Sequence, residues 1–319
     1  MKKNIGKLLS TLLPIALGVF LIIYQYNKFT SQQIEEMKGY FKNANYLYIY
    51  LSLLIALFGY ASRAYRWKFS IEQMGYTSSF SNNFMAVAAG YFMNLGIPRS
   101  GEISRALLLK KYENIPFDKA FGTIVAERVV DTLIFLLFVI TSFFMQYSIL
   151  KNFILQKIPL QTLEILAVLG VLGGIAFLLI WKYSKLKIVL ILKEKLAGLF
   201  EGIFSIVRMK NKWAYIFHSF FIWFSYFMMF YVTIFALKET SNIGVGAAII
   251  GFVFGTFAIG FTNGGFGAFP ILISQIFMLY AIPDTAGTAF GWLVWTSQTI
   301  LTVVVGALSF FLLPILNRK

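Results

Sequence analysis

Residues 126–145 read AERVVDTLIFLLFVITSFFM, with three charges, Glu127, Arg128 and Asp131, at the head of a long apolar run. Crossing ~30 Å of hydrocarbon takes roughly 20 helical residues. Leu133 to Met145 supplies too few, so a span here must reach back to about Ala126 and carry the charges with it. Each such charge costs roughly 2.5–3.5 kcal/mol at mid-bilayer, less near the interface or when paired. A cluster kept at that cost points to a polar pathway or a binding cavity.

The composition agrees. Of 319 residues, 59% are hydrophobic and 13% charged, with a mean hydropathy of +0.75. These values exclude a soluble domain and predict an all-α polytopic membrane protein. Met1-Lys2-Lys3 and the apolar Leu8 to Tyr24 have the outline of a signal peptide without a small-residue cleavage site, so the segment is expected to stay as the first span. Cysteine is absent, which removes disulfides, thiol nucleophiles and thiolate metal sites. The one histidine, His218, lies in the aromatic run Phe217 to Tyr231 and is expected to pack there rather than bind metal.

Apolar runs of membrane length fall near 8–26, 46–62, 118–146, 161–181, 214–237 and 286–313, about six full spans. Two further stretches are interrupted, 80–111 at Asn94-Leu95-Gly96-Ile97-Pro98-Arg99-Ser100-Gly101 and 244–282 at Thr262-Asn263-Gly264-Gly265-Phe266-Gly267-Ala268-Phe269-Pro270. Gly and Pro break helices, so each predicts a broken or re-entrant helical hairpin. The arms of the second are also long enough for two full crossings. Most of the 28 basic residues, those of 63–119 and 182–212 among them, then lie on the cytoplasmic side with both termini, and the expected location is the cytoplasmic (inner) membrane. Span, span, hairpin, span occurs twice within a single integral domain, in halves 1–146 and 159–313. Three crossings per half make the second copy inverted, a plan used by many secondary transporters, although no residue-level similarity links the halves. The basic segment 182–212 reads equally as an amphipathic helix on the anionic cytoplasmic leaflet or as a loop that fixes topology.

At the first break Pro98 and Gly101 end one arm and Ser100 can cap the next. The tip then offers helix N–H groups beside Arg99, an anion site for a lipid phosphate or carboxylate. Arg99, Glu102 and Arg105 at i, i+3 and i+6 share a face, which suits headgroup binding or an interfacial salt-bridge ladder. Glu127 and Asp131 lie one turn apart with Arg128 in reach of Asp131. That leaves a surplus negative charge, to be met by Arg99 or Arg105, or to take up a proton and couple it to transport. The same network can also merely fasten helices together. The uncharged second tip, Asn263-Gly264-Gly265-Phe266-Gly267, permits close backbone approach and lacks the strand and acidic partner of a dinucleotide site. Gly170/Gly174, Gly251/Gly255, Gly260/Gly264 and Gly287/Gly291 have small-xxx-small spacing and predict close helix packing.

The block from Asn94 to Arg105, followed by Glu127-Arg128-Val129-Val130-Asp131, resembles the lysylphosphatidylglycerol synthase transmembrane-region family, also called the flippase-like domain family. Arg66-Trp67 and Gly264-Gly265-Phe266-Gly267 fit the same pattern, so the likeness spans nearly the whole chain. It implies an integral domain that moves lipids across the bilayer. In the best-known members a soluble aminoacyl-transferase domain follows, and archaeal relatives are linked to dolichol-phosphate sugar pathways. This chain ends at Lys319 directly after its last span, so lysyl transfer is not expected of it. Family members often place an acidic residue shortly after the late glycines, where this chain has Ala268-Phe269-Pro270.

The expected function is transport or flipping of an anionic or aminoacylated phospholipid or a polyprenyl-phosphate lipid, not an enzymatic one. Asn94, Pro98, Arg99, Gly101, Glu102, Arg105, Glu127, Arg128, Asp131, Asn263, Gly264, Gly265 and Gly267 are the candidate substrate-binding residues. No cofactor, metal or nucleic-acid partner is expected. The alternatives are a membrane enzyme or accessory subunit of phospholipid or lipid-linked sugar metabolism, and a scaffold that recruits a separate synthase through 182–212.

Overall fold

The computed structural model describes residues 16–157, 159–184, 186, 189–190, 193, 206, 208–262 and 264–318. The start of the N-terminal span, most of the 182–212 segment and Asn263 lie outside the described residues. Among the described residues every regular element is helical.

Residues 16–28 form α1. A capping box at Thr30 and Gln33 then starts α2 (Ser31–Asn43), an element absent from the reading above. Asn45 caps α3 (Tyr46–Gln73), which runs well past the expected end of its span at residue 62, there being no Gly or Pro in the sequence from there to Gly75. The first hairpin is α4 (Phe80–Gly96) and α5 (Ser100–Tyr112), and the charged span is α6 (Phe117–Met145). Then come α7 (Tyr147–Lys157), α8 (Leu160–Tyr183) and α9 (Lys212–Thr233), the second hairpin of α10 (Val245–Phe261) and α11 (Ala268–Met278), and α12 (Asp284–Leu316). Four described helices are long and apolar enough to cross a membrane: Tyr46–Gln73, Glu164–Tyr183, Lys212–Ala236 and Asp284–Leu316.

Helix α12, at 33 residues about 50 Å long, gives the molecule its axis. At its first end Lys28 Nζ donates to Asp284 at 2.6 Å, and nearby Tyr280 Oη donates to Gln146 at 2.8 Å, which brings the base of the second hairpin to the far end of α6. At its last end Asn317 and Asn82 exchange hydrogen bonds at 2.8 Å, and Asn82 Nδ2 donates to Glu113 at 2.7 Å across the base of the first hairpin. The two hairpins therefore enter from opposite ends and their tips meet between them. Trp295 Nε1 donates to the Gly264 carbonyl at 2.8 Å, and a Cβ placed on Gly264 would lie 3.9 Å from Leu95 Cδ2. The 17 residues of α10 and 11 of α11 reach about 25 and 17 Å against a ~30 Å core, lengths that suit a hairpin better than two crossings.

Each hairpin also leans on the other half, α4 against α12 and α10 against α6. Lipid is as apolar as a side chain, so helices associate in a bilayer by close packing over small residues. Gly287 and Gly291 press on α11, where added Cβ atoms would sit 2.9 Å from Ser274 Cα and 2.5 Å from Pro270 Cα, and Gly251 and Gly255 face Phe230, Phe277 and Phe269. At Gly170, Gly174 and Gly260 an added Cβ would meet nothing within 4 Å among the described residues.

Candidate functional site

The charged head of α6 is met by two arginines from α3. Arg63 and Arg66, placed by the sequence reading in a cytoplasmic segment, are buried inside the helix bundle. Arg66 Nη1 donates to Asp131 Oδ1 at 2.7 Å and to Ser219 Oγ at 3.2 Å. Arg63 Nη1 lies 3.0 Å from Asp131 Oδ2, and Glu127 Oε2 is approached by Arg105 at 3.2 Å, Arg66 at 3.5 Å and Arg63 at 4.0 Å. Ten to fourteen residues into α6, Glu127 and Asp131 stand roughly 15–20 Å from its first-hairpin end.

Aromatic rings wall this cluster. Arg105 lies over the Trp67 ring at 4.1 Å, Arg66 near Tyr215 at 5.5 Å and Arg63 near Tyr226 at 5.9 Å. Trp67 is itself pinned by its Nε1 bond to Thr123 Oγ1 at 2.8 Å, and Tyr226 and Tyr91 share a hydroxyl bond at 2.7 Å. His218 packs as expected, bonded to Ser62 at 2.8 Å between Tyr65 and Phe69.

The charge balance differs from the sequence reading in sign. Three buried guanidiniums, Arg63, Arg66 and Arg105, face two buried carboxylates, Glu127 and Asp131, so the surplus is positive. The negative surplus proposed as a proton acceptor is absent. Towards the surface Arg128 pairs with Glu102 at 2.5 Å and reaches Asp131 at 3.8 Å. Among the described residues the Nε atoms of Arg63, Arg66 and Arg105 and the Oε1 of Glu127 are buried without a hydrogen-bond partner. Buried polar groups are normally satisfied, so atoms of this kind call for an ordered water, an ion or a ligand as partner.

Around the first tip the geometry also departs from the spacing argument. Arg99 is not on the α5 face with Glu102 and Arg105. It is the N-cap residue, exposed and held at φ +62°, with Pro98 half-buried before it. Ser100 does not cap. Its hydroxyl donates back to the Met93 and Ile97 carbonyls, and Asn94 Oδ1 caps α5 instead, accepting the Gly101 N–H at 2.7 Å. The Ser100 N–H is bonded to Ile97, so two of the N–H groups offered as an anion site are already taken. Gly101 is a packing residue, because a Cβ there would lie 2.2 Å from the Gly90 carbonyl.

The described glycines of the second tip, Gly264, Gly265 and Gly267, do not join the cluster. Gly265 N–H bonds Thr262 Oγ1 at 3.1 Å, and Gly267 at φ +71° closes on α1, where a Cβ would lie 2.5 Å from the Gly18 carbonyl. A signal for the missed pair was present: Gly59, Arg63, Arg66 and Ser70 recur at i, i+4, i+7 and i+11, one buried polar stripe on α3.

A family model described as the lysylphosphatidylglycerol synthase TM region matches residues 11–306. A UPF0104 membrane protein of Methanocaldococcus jannaschii is 40% identical over 114 residues, 35% of this chain and 33% of the relative, so the match spans about a third of that relative's length. No solved structure matches at a significant level. The motifs that build the cluster and both tips lie within the matched span, and the chain belongs to the lysylphosphatidylglycerol synthase TM-region family.

Proposed function

We propose that this protein is a lipid transporter of the cytoplasmic membrane, moving a lipid with an anionic phosphate headgroup, a phospholipid or a polyprenyl phosphate, from one leaflet to the other. The observation that carries this reading is the buried positive surplus beside a hairpin tip. Three arginines with unspent donors at that depth suit one phosphate, which pairs well with guanidinium forks. In this reading the exposed Arg99 meets the headgroup at the tip, and Arg63, Arg66 and Arg105 hold the phosphate. Glu127 and Asp131 keep the three guanidiniums apart and oriented, and the Gly264 to Gly267 tip closes the path from the opposite end. Opposed hairpins with tips in contact suit alternating access about that point.

Proteoliposomes carrying labelled phosphatidylglycerol, lysylphosphatidylglycerol or undecaprenyl phosphate test it. Wild type should translocate one of these lipids, and Arg63→Met and Arg99→Ala should lose that movement while remaining folded and inserted. Undiminished transport by both variants would remove the headgroup role, and no movement of any lipid by folded wild type would remove the transporter reading.

A further inference from the structure

At the end of the molecule opposite the arginine cluster, two adjoining cavities lie between α1, α2, α3 and α12. The first, about 250 Å³, is lined by Gln25, Lys38 and Thr288 on its polar side and by Phe29, Phe41 and Trp292 on its apolar side. The second, about 700 Å³, has only apolar and hydroxyl-bearing walls, Ile49, Leu53, Leu293, Ser297 and Ile300 among them. Met37, Phe41 and Trp292 line both, so the two form one groove roofed by α2. Its larger part falls within the ~300–1,000 Å³ of ordinary ligand sites.

We infer that this groove binds one hydrocarbon chain of a membrane lipid, with the headgroup at the Lys38 end. Length is the first argument. From Thr288 to Ile300 the groove follows α12 for twelve residues, roughly 18 Å, close to the ~15 Å half-thickness of the hydrocarbon core. Polarity is the second. The end nearest the start of α12 holds Gln25 bonded to Thr288 at 3.1 Å, with Lys38 in a surface pair with Glu35, while among the described residues the lining of the deep end carries no charge. That gradient matches an amphiphile lying along the membrane normal. Continuity is the third: Gly267 and Pro270 of the second hairpin line the first cavity, and that hairpin's tip meets the first at Leu95. A chain in the groove therefore lies against the element that closes on the headgroup path. This extends the lipid reading above, and its test reads binding rather than transport.

Trp292 lines both cavities and reports on them directly. The purified full chain in detergent is titrated with phosphatidylglycerol brominated on its acyl chains, and the Trp292 signal is taken as wild type minus Trp292→Phe. Quenching should saturate at stoichiometric lipid, and Ser297→Phe, or Thr296→Leu if that variant does not fold, should abolish it by filling the groove. Quenching that rises without saturation, as for a chain in the general lipid belt, or that survives both groove-filling variants, overturns the assignment. Saturable quenching in a protein that moves no lipid keeps the groove and removes the transporter reading. Transport without Trp292 quenching does the reverse.

Discussion

Replacing Asp131 by Asn should cost far more than replacing Arg63 by Met, although each removes one charge from the same cluster. Asp131→Asn leaves three buried guanidiniums against Glu127 alone, and it strips Arg66 and Arg63 of a carboxylate at 2.7 and 3.0 Å. Breaking a buried pair from one side costs about 3–5 kcal/mol, because a charge stays behind without compensation. Arg63→Met leaves Arg66–Asp131 at 2.7 Å and Arg105–Glu127 at 3.2 Å, two pairs in balance, and methionine refills much of the aliphatic stem. Its cost should stay within about 1 kcal/mol, since no unpaired charge results. At about 2–4 °C per kcal/mol, Asp131→Asn should lower the apparent Tm by about 6–20 °C and Arg63→Met by less than about 4 °C. Circular dichroism melts of the purified protein in one detergent would read both. The double variant should melt above Asp131→Asn, because it restores the original surplus. A loss for Arg63→Met as large as for Asp131→Asn would refute the claim that the cluster carries an excess positive charge.

The hairpins give further tests. Arg99 holds φ +62° without being glycine, so Arg99→Gly should be more stable than Arg99→Ala by roughly 1 kcal/mol, and both should lose lipid movement in the vesicle assay. Gly101→Ala drives a Cβ to 2.2 Å from the Gly90 carbonyl and should cost about 1–3 kcal/mol in the same melts. Gly174→Ala meets nothing within 4 Å among the described residues and should be neutral or add up to about 1 kcal/mol from helix propensity. Trp67→Phe loses the 2.8 Å bond to Thr123 and weakens the contact with Arg105, so it should lower stability by about 1–2 kcal/mol.

The hairpins were legible because Pro98 and the glycines at 264, 265 and 267 act through local sterics, which a sequence displays directly. Pairing is not local, and a sequence does not display it. Counted along residues 126–145 of α6 alone, the charges are two acids and one base, a negative surplus to which the nearest arginines in sequence are the obvious partners. The arginines that matter most arrive on α3, more than sixty residues upstream, and they reverse the sign. In a hydropathy profile Arg63 and Arg66 look like topological charges because the profile averages over all faces of a helix, whereas the structure uses one face. Along that face Gly59, Arg63, Arg66 and Ser70 form a stripe no lipid-facing helix would keep, and its register puts both guanidiniums on Asp131. The same blindness hid α2, whose capping box at Thr30 and Gln33 was present in the sequence but whose apolar face, Met37 and Phe41, has meaning only once α12 lies beneath it. Charge surplus and tail groove alike are properties of surfaces assembled from distant segments. A tally along the chain fixes which charges exist, and only the packing of α3 against α6 decides which of them remain uncompensated.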